Sequence, residues 1–364
     1  MLALPLQRIV AVDSKPIFRA FINKNFGQGS DERFEEDCRG FQSARDAAIA
    51  VTQSSEETGL NNLLFIIFQL KKMAPRLAEY ETEMQISFTY FDAFKQSKKI
   101  TCRTLYYDLS VFLWNYAALH SHVGSRVDRS TDEGIKIAQR HYQQSAGALD
   151  SIKEDCLRHM KENENANFGP INSQVLMMCK ELMLAQAQLC FYEKAVKDKK
   201  AGTMKPGIIA KLAAQTSIFY RSAADMSKQG LCASYVDESW GIHSEFQCRC
   251  FESAAEYWMS QSMKDSALSK GSGYALEIAR LNRAEIKIQQ AMAFATKEKL
   301  GISLTNGAAA LLRSISAAKA SAIHDNRTVY MEAIPLDGTL SPVSAVSLVK
   351  PSEPPEYKGT ICSA

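Results

Sequence analysis

The 364-residue chain is 46% hydrophobic and 23% charged, with a net charge of +3, so it has the make-up of a globular protein with a sizeable core. No sustained Lys/Arg stripe is interleaved with aromatics, so nucleic acid is not implied as a partner. The longest apolar run, Leu63–Phe68, is far short of the roughly 18 residues that cross a bilayer, and the opening MLALPLQRIVAV lacks the basic start and cleavage site of a signal peptide.

Nine scattered cysteines, an odd number in a chain too large to need covalent staples, fit a reducing cytosol. In chain order, Leu4–Val12 reads as a strand. Asp13 and Ser14 offer an N-cap, and Pro16 an early helical position, for a short helix ending at Gly27. A second helix starts at Ser30-Asp31, with Phe34, Cys38, Phe41, Ala44 and Ala48 at helical spacing and acidic residues crowding its first turns. Leu60–Met73 is apolar nearly all round and reads as a central helix, bent or ended by Pro75. Ile86–Phe91 alternates and is aromatic, the second β-like segment. Helices follow over Cys102–Val123 and from Glu133, capped by Thr131 and Asp132, to about Glu162.

A polar loop precedes a helix from Ser173 to Lys197. Within it, Leu182, Ala185, Leu189 and Tyr192 form one stripe, the expected packing seam. A basic connection leads to a helix over Ile208–Ser227, and three more are expected over Val236–Lys264, Ser272–Lys299 and Asn306–Asp325. Thr328–Ile334 reads as extended, and Ser341–Ala364 as a Ser/Pro tail. No fixed 34-residue period is present. Antiparallel helix pairs stacked side by side bury such wide faces, so the fold class is mainly α, an irregular solenoid with a little N-terminal sheet.

No catalytic or metal-binding constellation stands out. His120 and His122, and Cys248 and Cys250, are two apart on helices and point in nearly opposite directions. Lys270-Gly-Ser-Gly273 follows no strand and reads as a turn. The chain is therefore expected to be neither an enzyme nor a cofactor carrier. One charge anomaly remains: Lys194, Lys197, Lys199, Lys200, Lys205 and Lys211 lie close in sequence. They make either a solvated loop or a positive rim suited to an acidic amphipathic helix or an anionic membrane surface. Near the C-terminus, Pro354-Pro355-Glu356-Tyr357 matches the PPxY pattern read by WW domains.

Seven stretches occur in the order found in one family: FTYFDAF (Phe88–Phe94), YDLSVFLWNYAAL (Tyr107–Leu119), DEGIKIAQRHYQQSAG (Asp132–Gly147), LMLAQAQLCFYEKA (Leu182–Ala195), IIAKLAAQ (Ile208–Gln215), EIARL (Glu277–Leu281) and Val329-Tyr330 with Pro335. Through them the chain resembles the BRO domain of the ALIX family of ESCRT-associated adaptors over about residues 4–350. The resemblance implies a curved α-solenoid with a repeat-like, TPR-like middle, formed by a BRO domain at 1–350 and a tail at 351–364. It also implies a non-catalytic scaffold in endosomal sorting or membrane remodelling, cytoplasmic and recruited to membranes. A concave apolar patch would receive the C-terminal amphipathic helix of an ESCRT-III subunit. Carried over by position, that patch is Phe191, Ile208 and Leu212, flanked by Lys194 and Lys211. Tyr330 matches a tyrosine that is a phosphorylation site in some relatives. The family's second helical domain and long Pro-rich tail are absent from this sequence, so the chain is either a BRO-only protein or a fragment.

Overall fold

The computed structural model describes residues 1–29, 32, 34–160 and 168–357. Helix α1 spans Lys15–Phe26, α2 Glu35–Ile49, α3 Glu56–Leu77 and α4 Glu81–Met84. The expected start of α2 at Ser30-Asp31 and the expected loop at 163–167 fall outside the described residues. Ser14 is the N-cap residue of α1 but makes no capping bond. Its hydroxyl donates instead to Gln42 Oε1 at 2.7 Å, tying α1 to α2. Pro75 sits two residues before the end of α3, so the helix ends near it without breaking at it.

Strands β1 (Phe88–Phe91) and β2 (Lys99–Cys102) form an antiparallel hairpin with Phe88 opposite Cys102. The expected strand at Leu4–Val12 contributes a single bridge, Ile9 to Tyr90. The reason lies in its backbone partners. Leu4 N–H donates to Ser121 Oγ at 2.8 Å and Gln7 N–H to Asn115 Oδ1 at 2.7 Å, and Pro5 has no N–H to offer. Side chains of the next helix take the backbone groups at Leu4 and Gln7, leaving Arg8 O and Val10 N–H to bond β1.

That helix, α5 (Leu105–Arg126), is buried on almost every side. It begins later than expected because Cys102 ends β2. Helix α6 (Asp132–Ser151) passes into a π-helical turn at Ile152–Cys156. Thr131 accepts the Gly134 N–H at 3.0 Å, the cap read from sequence.

The remaining helices are α7 (Ser173–Lys200), α8 (Pro206–Ser227), the short α9 (Gly230–Tyr235), α10 (Glu238–Lys270), α11 (Ala275–Lys297) and α12 (Ile302–Asp325). From α5 through α8, and on through α10 to α12, each long helix packs on the one before it. The architecture is a helical solenoid with a small sheet near its start. Most of the core is one continuous cluster reaching from Leu4 to Ala255. A second cluster joins Phe246 on α10 to α11 and α12. The expected extended segment Thr328–Ile334 starts instead as a π-helical turn, Asn326–Tyr330, followed by Met331 at φ 53°.

Residues 341–357 form no regular element, yet they are docked. The strand-like path crosses the solenoid against the order of its helices. Arg280 on α11 donates to Ser341 O at 2.7 Å. Val346 N–H then reaches Lys211 O on α8 at 3.2 Å. Gln188 on α7 holds Val346 O at 2.9 Å and Leu348 N–H at 3.1 Å. Gln143 on α6 accepts from Lys350 N–H at 3.1 Å and, through its backbone carbonyl, from Ser352 N–H at 2.9 Å.

Candidate functional site

Helices α7 and α8 are successive, joined by a five-residue turn at 201–205, and pack together. Helix α7 starts where Asn172 Oδ1 accepts the Val175 N–H at 3.0 Å. Helix α8 starts on Pro206, whose missing N–H costs nothing in the first turn.

On α7 the expected seam holds in its first half, where Leu182 and Ala185 are fully buried. Leu189 and Tyr192 are only half-buried. With Met1, Arg129, Phe246, Phe251 and Leu304 they border a cavity of about 390 Å³. Arg129 Nε donates to Glu193 Oε2 at 2.9 Å on that side. Tyr192 OH accepts the Trp258 indole N–H at 3.0 Å. Helical geometry puts Phe191 on roughly the opposite side of α7 from Leu189.

Phe191 is half-buried there. Ile208, at the start of α8, is 47% exposed, as is Ile218 further along the same helix at 50%. Leu212 is 3% exposed. It packs with Ala195 and Ile209, bordered by Val196, Met204 and Trp258, and lies beneath the surface. Of the three apolar residues carried over, then, Ile208 is the outermost, Phe191 is intermediate and Leu212 is a buried support.

The basic residues divide as well. Lys194 Nζ pairs with Asp198 on its own helix and lies 3.2 Å from Asp132 Oδ2. These partners, Asp198 first, raise the Lys194 pKa. Lys197 Nζ is 2.9 Å from Asp132 Oδ1 and donates to Ser130 O at 2.6 Å. Lys211 is exposed and, among the described residues, makes no ion pair. Of the six lysines that sequence presents as a positive rim, Lys194 and Lys197 are therefore neutralised by Asp132 and Asp198, while Lys200, Lys205 and Lys211 are exposed.

The sequence reading missed one contributor. Val346 is bonded to both Lys211 and Gln188 and is 40% exposed, so it adds an apolar side chain to the margin of the α7/α8 surface. The alternation Val343-Ser344-Ala345-Val346 carried the signal but was absorbed into the tail. Elsewhere, the Tyr330 ring stacks on Tyr274 with an interplanar angle of 5°. Pro354 and Tyr357 are half-buried, while Pro355 and Glu356 are exposed. Among the described residues no group of three or more His, Cys, Asp or Glu could hold a metal ion, and no helix is long and apolar enough to cross a membrane.

A family model for the BRO1-like domain matches residues 1–363. The human "Programmed cell death 6-interacting protein" is 30% identical over 96% of this chain and 39% of its own length. The "Vacuolar protein-sorting protein BRO1" of Gibberella zeae is 25% identical over 96% of this chain and 35% of its own. The chain thus spans about two fifths of the length of these relatives. A solved "ALIX BRO1 CHMP4C complex" has a TM-score of 0.81 at 26% identity, covering 99% of this chain and 98% of that one. With its sequence matched end to end and its solenoid superimposed on the same architecture, the chain belongs to the BRO1-like domain family.

Proposed function

We propose that the protein is a non-catalytic scaffold whose α7/α8 surface receives the C-terminal amphipathic helix of an ESCRT-III subunit, in endosomal sorting or another membrane-remodelling process. The observation that carries this reading is Ile208, left 47% exposed on a helix whose neighbouring Ile209 and Leu212 are buried. Phe191 on α7 and Val346 bonded at its margin are further partly exposed apolar side chains, and Lys211, one turn from Ile208, supplies a positive charge. Helix-in-groove recognition asks for that combination: a few apolar anchors for affinity and a cation to orient an acidic partner. Membership of the family supports it, as does the likeness to the ALIX BRO1 domain solved in complex with CHMP4C.

The test is a calorimetric titration with a synthetic peptide of the CHMP4C C-terminal helix, expected to bind with a Kd on the order of micromolar. Ile208→Asp should weaken binding by about 30-fold or more, since an anchor contributes about 2 kcal/mol and a desolvated carboxylate has no partner there. Its circular dichroism should match the wild type, because the side chain already faces solvent. Undiminished affinity in a folded variant would remove Ile208 from the site.

A further inference from the structure

The PPEY motif is not free. The ring of Tyr357 lies 4.7 Å from that of Phe65 and 6.0 Å from that of Phe68, centroid to centroid, on the outer side of α3. Lys72 Nζ stands 4.3 Å from the centroid of the Phe68 ring. Five residues earlier the backbone is held just as closely. Ser352 N–H donates to Gln143 O, and a Cβ built on Gly147 would lie 1.8 Å from Ser352 O. Only a residue without a side chain lets the segment approach α6 so nearly, so the glycine in SAGALD is explained by the strap above it. Two separate helices thus shape themselves to residues 351–357: α6 by omitting a side chain, α3 by offering two half-buried aromatics.

A PPxY ligand works by laying its prolines and tyrosine into an aromatic groove of the WW domain. Here one ring cannot serve both surfaces. We propose that docking on α3 masks the PPEY motif, so that a WW-domain partner binds the fraction of molecules in which residues 351–357 have lifted off. Such a partner would also uncover Phe65 and Phe68. The inference rests on PPEY being a WW ligand and is independent of the α7/α8 surface.

Affinity for a site open only part of the time falls by the open fraction. A WW domain of the PPxY-reading class should therefore bind the synthetic peptide 350–364 about tenfold or more tightly than the full chain. Phe65→Ala/Phe68→Ala on α3 and, separately, Gly147→Val on α6 should bring the full chain to the peptide's affinity. Chymotrypsin cleavage after Tyr357 should be slow in the wild type and accelerate in both variants. Equal affinity of wild-type chain and peptide overturns the masking, and that comparison needs no variant to fold. A peptide that does not bind overturns the proposal at its WW step, whatever the cleavage rates.

Discussion

Arg45, Asp108 and Tyr90 form a charged cluster with no exposure at all. Arg45 Nη1 pairs with Asp108 Oδ2, and the Tyr90 hydroxyl donates to Asp108 Oδ1 at 2.6 Å. The guanidinium also lies over the Phe88 ring, 4.4 Å from its centroid. Burial, first, and then the Asp108 charge hold the Tyr90 phenol well above its usual pKa, so it stays a donor. Removing one partner strands the other's charge in the core. Asp108→Asn should cost about 3–5 kcal/mol in urea unfolding, whereas Tyr90→Phe, which removes one hydrogen bond, should cost about 1 kcal/mol.

His120 is buried with its Nδ1 2.7 Å from His141 Nδ1, so one ring donates and the other accepts. Burial is the first cause that pulls His120 down to about 3, with His141 and Arg140 adding to it, and His141 is pulled to about 4 by burial and Arg140. Both folded-state values lie below that of an unfolded histidine, about 6.5. Between these limits the unfolded chain takes up protons that the folded one does not, so unfolding becomes easier as pH falls. The contribution is complete above about pH 7 and is lost on the way down to about pH 4 for His141 and about pH 3 for His120, at no more than about 1.4 kcal/mol per pH unit for each proton. The wild type should therefore lose more stability between pH 7 and pH 5 than His120→Gln/His141→Gln, measured as paired denaturant curves.

At the scale of elements, capping decides where the site helices begin. The Asn172 side chain accepts from Val175 N–H and donates to Gly169 O at 2.9 Å, joining the α7 N-terminus to the preceding loop. Asn172→Ala should destabilise by about 1–2 kcal/mol and lower the melting temperature, with ESCRT-III peptide affinity nearly unchanged because Phe191 lies five turns further on. The long helices were legible from their spacing because their apolar stripes are wide. Strand β2 was not, since Lys99-Ile-Thr-Cys102 has one buried apolar residue and so too little alternation to stand out. Residues 4–12 misled for the opposite reason: strand-like side chains, but a backbone that at Leu4 and Gln7 is satisfied by Ser121 and Asn115 and meets β1 at Arg8 and Val10 alone among the described residues. The α7/α8 surface was located by family likeness, and periodicity could say only that Ile208 and Leu212 share a side. Which of the two faces solvent was settled by how α10 packs, a contact distant in sequence.

Over the whole molecule, two extended segments brace the solenoid from different sides. The first residues meet Gln186, whose Nε2 donates to Leu2 O at 2.9 Å, and Met1 reaches the cavity beside Leu189. Val346 and Leu348 of the C-terminal segment meet Gln188. Gln186 and Gln188 are both fully buried, two residues apart, and so point to nearly opposite sides of α7. A pair of buried amides in an apolar helix is costly unless bonded, and here each is bonded to one end of the chain. The QAQ triplet in LMLAQAQLC is therefore a structural signature as legible as the apolar stripe around it.

The C-terminal strap has a mechanical consequence. Its attachments to α3, α6, α7 and α8 come one after another along an extended path, so tension applied beyond Tyr357 loads them in series, as in opening a zipper. Each yields alone, Tyr357 before Ser352, then Lys350, Leu348 and Val346. Freeing residues 346–357 would pay out about 40 Å of chain while the helical stack beneath stays whole. Attached to anything that pulls, such a strap would act as an extensible leash: compliant over its first few nanometres, and stiff once the load reaches the helices.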